Sequence, residues 1–135
     1  MRKLFSTKYN AGAYSTALLI LRLGFGILMA HHGYGKLTHY NEMQSQFMGF
    51  MGLSPSITLG LVIFAEFFCA LLVTMGLFTR LACIPLIIST GYTLSQVHQW
   101  DVFGKGELAI LYLIAFVTLL FTGAGKVSVD NMISK

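Results

Sequence analysis

Few residues in this chain are equipped for chemistry, and nearly all of them stand in apolar surroundings. Arg22, His31, His32 and Lys36 fall within the run ALLILRLGFGILMAHHGYGK at 17–36. Glu66 is alone in the middle of the apolar stretch 55–78, His98 lies near the end of a polar-studded segment, and Glu107 opens a last apolar run. A charge inside hydrocarbon costs at least about 2.5–3.5 kcal/mol on insertion scales, so each of these groups is expected to face protein, water or another of the set. Imidazole, ammonium and carboxyl groups held together can donate to carbonyl oxygens and move protons. That chemistry suits the head of a quinone or a proton relay. A metal fits less well, because the chain has no H-x-x-x-H, no E-x-x-H and no cysteine–histidine cluster.

Helix rise gives a first estimate of depth. Counted from the same side of a bilayer, Arg22 lies about 12 Å in and Glu66 about 17 Å in, a gap that an arginine side chain spans. An Arg22–Glu66 ion pair in the bundle interior is the expectation, and its role can be register alone without any chemistry. Above it, His31, His32, His98, Lys36 and Glu107 form an outer polar cluster. Within this reading Glu66 and His32 are the candidate catalytic groups, and Arg22, His32, Lys36, His98 and Glu107 the candidate binding groups. At 100° per residue Arg22, Gly26, Met29, Gly33 and Lys36 share a face, with His32 at its edge and His31 nearly opposite. Which of the two histidines looks inward stays open. Tyr34, Tyr40 and Tyr92 are further candidate donors or stacking surfaces, although a single histidine or tyrosine at a membrane boundary is more often a satisfied interface residue.

The elements that must position these groups are read from composition. Hydrophobic residues make up 56% of the 135 and charged residues only 10%, against about 25% charged in soluble domains, and mean hydropathy is +0.73. So little charge does not cover a water-exposed surface. The expected fold is all-α: an integral membrane four-helix bundle in one domain, with spans near 14–38, 55–78, 79–100 and 107–122. A short interfacial helix is expected in the first outer loop, where Met43, Phe47, Phe50 and Met51 recur at helical spacing among polar residues. Ser54-Pro55 reads as a helix start. Counting basic residues puts Arg2, Lys3, Lys8, Arg80, Lys126 and Lys135 on one side and Lys36 and Lys105 on the other. Both termini are therefore expected in the cytoplasm. The net charge of +4 carries no basic run or nucleic-acid motif with it, so no nucleic-acid partner is expected. Cys69 and Cys83 lack C-x-x-C spacing and read as small buried apolar residues.

The segment L-R-L-G-F-G-I-L-M-A-H-H-G-Y-G-K-L, followed by Glu66, then G-L-x-T-R at 76–80, Glu107 and the closing G-A-G-K-V-S-V-D, resembles the DoxX family of small four-span bacterial membrane proteins. The resemblance covers roughly 19–130. It implies a multi-pass protein of the bacterial inner membrane and a subunit of a quinone-linked redox complex. Its lipid-bilayer setting then comes with a partner membrane or redox protein, or a homo-oligomer. A quinone is the implied cofactor, since no flavin, haem or metal motif is present. The competing expectation is a non-enzymatic scaffold that docks partners through the loop carrying Met43, Phe47 and Phe50. A small transporter is third.

Overall fold

A computed structural model describes residues 2–45, 49 and 52–134. Among these the chain is helical with no strand. After a 3₁₀ turn at Arg2–Phe5, helix α1 (Ala11–Thr38) starts where the Asn10 side chain accepts a hydrogen bond from the Ala13 N–H at 3.1 Å. A single turn, α2 (Tyr40–Met43), follows. It covers only the start of the expected surface helix, and Phe47, Phe50 and Met51 lie outside the described residues.

Helix α3 (Pro55–Met75) starts as Ser54-Pro55 predicts. The Ser54 hydroxyl accepts from the Ile57 N–H at 3.3 Å and proline occupies the first turn. Its middle, Phe64–Cys69, widens into a π-helical stretch, and Gly76 ends it in the left-handed conformation at φ 73°. Helix α4 (Thr79–Tyr92) runs on into a second π stretch, Thr93–Val97. It stops at Val97 rather than the expected Trp100, because Gln99 and Trp100 take φ of 50° and 63°, outside any right-handed helix. Helix α5 occupies Glu107–Thr122, and a short α6 (Val129–Ile133) closes the described chain.

Helices α1, α3, α4 and α5 form a ring in chain order, with α5 returning to α1. Neighbours run antiparallel, as short connections require. Two glycines fix the α1–α3 contact. A Cβ on Gly33 would stand 2.5 Å from the Phe67 nitrogen and 2.6 Å from the Glu66 carbonyl carbon, and one on Gly26 would overlap Thr74 Oγ1. The two backbones thus approach as only small residues permit. The interior holds Leu18, Met29, Cys69, Ala70, Val73, Cys83, Leu86, Phe116 and Leu119.

The outside is equally apolar. Ile20 and Ile27 on α1, Leu61 and Phe68 on α3, Leu81 and Ile88 on α4, and Ile114 and Phe121 on α5 are all exposed. Soluble monomers rarely expose large apolar side chains along every long helix in this way. A belt of this kind matches a lipid-facing surface. Both Ala11–Thr38 and Pro55–Met75 are long and apolar enough to cross a bilayer, while Glu107–Thr122 is apolar but shorter.

Candidate functional site

Toward the end of the bundle where α1 finishes at Thr38 and α5 starts at Glu107, the ring holds an open cavity of about 310 Å³. His32, Lys36, Glu66 and His98 line it together, so four of the six residues in the candidate catalytic and binding sets share one site. Its deepest polar feature is an ion pair in which the Lys36 ammonium donates to Glu66 Oε2. Glu66 is 4% exposed. A buried carboxylate is stable only when an opposite charge and hydrogen bonds repay its desolvation, and Lys36 supplies both.

The local sequence explains how these groups meet. Gly33 brings the α1 backbone onto α3 at Phe67, and Lys36, one helical turn further on, lies on that same face. Glu66 sits within the π stretch of α3. The extra residue in a π turn re-aims its side chains relative to a regular helix, a feature often found at functional sites. Thr90 and Thr93 of α4 complete one wall. Their hydroxyls donate to the Leu86 carbonyl at 2.9 Å and the Ser89 carbonyl at 3.0 Å, which settles their protons within the helix. His32 packs edge-on against Tyr112 of α5, ring centres 5.9 Å apart, and Tyr112 in turn stacks on Phe116 at 6.0 Å. Both His31 and His32 are exposed, but only His32 lines the cavity, so His32 is the histidine of the pair that belongs to the site.

The expected Arg22–Glu66 pair is not formed. Arg22 is 1% exposed and its Nη2 donates to the Val127 carbonyl, at the end of the bundle that carries the termini. It packs against Gly76 and Ser128, and Asp130 supplies the opposing charge. Asp130 also accepts the Phe78 and Thr79 N–H groups at 2.7 and 3.0 Å, capping the start of α4. The reason is register. Gly33 faces Phe67 across the α1–α3 contact and Gly26 faces Thr74, so α1 begins well beyond the end of α3. Arg22 then lies roughly 18 Å along the axis from the level of Glu66, not 5 Å, at 1.5 Å per residue. Arg22 accordingly stands outside the cavity and is removed from its binding set. Glu107 is also outside: it is exposed in the first turn of α5, and its successors Leu108 and Ala109 line the cavity instead.

Sequence reasoning missed Tyr112 and Lys105, which both line the site. Tyr112 was legible. It belongs to the Ala109, Tyr112, Ala115, Phe116, Leu119 series, the buried face of α5, whose spacing is helical. The tyrosines singled out instead go elsewhere. Tyr34 is exposed, Tyr40 donates to the Ser56 carbonyl at 3.0 Å, and Tyr92 faces a separate apolar groove between α3 and α4. Among the described residues no group of three or more His, Cys, Asp or Glu could hold a metal ion.

Comparison with known proteins agrees with this architecture. The chain is 30% identical over 125 residues to inner membrane protein YqjF of Escherichia coli K12, covering 87% of this chain and 92% of that one. It is 27% identical over 125 residues to a Haemophilus influenzae protein described as uncharacterized, covering 87% and 91%. No solved structure matches. Residues 17–99 match the DoxX family, a stretch that holds Arg22, the Gly33 contact and the Lys36–Glu66 pair; the chain is a membrane protein of the DoxX family.

Proposed function

We propose that this protein is a four-span subunit of a quinone-linked redox complex in the bacterial inner membrane, with both termini in the cytoplasm. The cavity then opens toward the outer face and receives the quinone head. Basic residues support this orientation, since Arg80, Lys126 and the N-terminal cations cluster at the end carrying the termini. The observation that carries the functional reading is the buried Lys36–Glu66 pair. It shares one cavity with His32, His98 and Tyr112, inside a bundle whose outside is apolar. Ionisable groups kept at membrane depth at such cost mark functional sites by default.

The residues present fit a quinone head. The cavity of about 310 Å³ combines hydrogen-bond donors on two sides with the apolar walls of Met29, Leu108 and Ala109. A bound quinone would supply two-electron redox chemistry that the side chains lack. Lys36 and His32 donate from α1, and His98 donates from the α4 side. Glu66 holds the Lys36 ammonium at the cavity wall and offers the cavity an acceptor oxygen. Tyr112 gives a flat wall for the ring and orients His32 through their edge contact. Electrons come from a partner protein.

Purification in mild detergent followed by mass spectrometry of bound lipophiles and co-purifying proteins tests this reading. A retained quinone and a stoichiometric redox partner are expected, with Glu66→Gln inserting normally but losing turnover. Protein that neither retains nor rebinds quinone, with unchanged turnover in Glu66→Gln, would refute it.

A further inference from the structure

The charges around the cavity do not cancel. Lys36 and Glu66 neutralise each other, but Lys105 borders the same space and makes no ion pair among the described residues. Glu66 is the one carboxylate in the lining. Asp101, in the same loop as Lys105, accepts the Lys105 backbone N–H at 3.3 Å and does not line the cavity. A neutral head would give the Lys105 ammonium at the rim no counter-charge, whereas an oxyanion there would supply one.

We propose, resting on the quinone-binding reading above, that the cavity selects lipophilic ring compounds in their anionic form: a hydroxyquinone whose ionised oxygen is drawn to Lys105. The apolar walls receive the ring and the cationic rim receives the oxygen. Lys105 is the specificity-determining group. It lies on an exposed loop outside the helix contacts, so changing it leaves the bundle standing.

The test is equilibrium binding to the purified full chain in nonionic detergent at neutral pH. The probes are lawsone, a hydroxylated naphthoquinone ionised under these conditions, and the unsubstituted parent naphthoquinone. Lawsone is expected to bind at least about tenfold tighter, equivalent to about 1.4 kcal/mol. The gap should close in Lys105→Met, return in Lys105→Arg, and shrink with added salt. Equal affinity for the two probes would overturn the proposal and leave quinone binding intact. Binding of neither would overturn both. A gap that survives Lys105→Met would take the selectivity away from this residue and refute the assignment. Displacement of lawsone by phosphatidylglycerol but not by phosphatidylethanolamine would make the rim a lipid-headgroup site, which also overturns it.

Discussion

Removing Lys36 should harm this protein more than removing the carboxylate it neutralises. The Lys36 side chain keeps 24% of its surface accessible, the Glu66 side chain only 6%. Lys36→Met strands a buried carboxylate with no partner, a loss of about 3–5 kcal/mol for a broken buried pair. Glu66→Gln leaves an ammonium on a flexible four-carbon stem that can swing toward the cavity mouth and water. Its cost is nearer 1.5–3 kcal/mol, the scale of a lost charge-assisted hydrogen bond. The double variant has no stranded charge and should fall between the two singles. Thermal unfolding in nonionic detergent, followed by far-UV circular dichroism, reads the order directly. At about 3–4 °C per kcal/mol for a chain of this size, Lys36→Met should drop the midpoint by roughly 10 °C or more, and Glu66→Gln by about half that. If Lys36→Met matches Glu66→Gln, or the double variant is worse than Lys36→Met, the pair does not hold Glu66 as described.

The same assay separates the glycines. Gly33→Ala must push apart two backbones and should destabilise strongly, while Gly24→Ala, with open space around it, should be neutral or gain up to about 1 kcal/mol from helix propensity. Asp130→Ala removes the acceptor for the Phe78 and Thr79 N–H groups and the charge facing Arg22. A loss of about 1–2 kcal/mol is expected, seen as a lower midpoint and faster proteolysis near residue 126; an unchanged midpoint would remove the clasp from the stability of the fold. Tyr112→Phe should keep the midpoint within a few degrees, because the ring contacts persist, and equal ligand affinity in the two proteins would show that the hydroxyl takes no part in binding. Cys69 and Cys83, 2% and 0% exposed, should resist maleimide in the folded protein and react only after denaturation in SDS.

Much of the architecture was legible because it follows from composition and local signals. Ser54-Pro55 marks the start of α3 through its own hydrogen bonding, and Glu107 with Gly123 brackets α5. His32, Lys36, Glu66 and His98 could be grouped because polar residues in an apolar bundle have few places to go. Register was not legible. Spans flush at their ends would set Arg22 beside Glu66, whereas the Gly33–Phe67 approach slides α1 past α3 and carries Arg22 away from it. The π stretches were also invisible, since nothing in Phe64–Cys69 or Thr93–Val97 departs from an ordinary helical pattern. Asp130 was noticed as part of a closing motif. Its role as a cap reaching back to Phe78 and Thr79 depends on long-range packing that no local pattern encodes.

The grip of Val127 and Asp130 on the first helix has a bearing on biogenesis. Arg22 leaves the ribosome well before its acceptor at Val127, which comes 105 positions later. At about 5–20 residues per second, translation leaves the guanidinium waiting on the order of 5–20 s. During that delay nascent α1 carries an uncompensated cation inside an apolar segment. Only a chain synthesised as far as Asp130 can latch α1 to the segment that follows α5, so burial of the Arg22 guanidinium is tied to the arrival of α6.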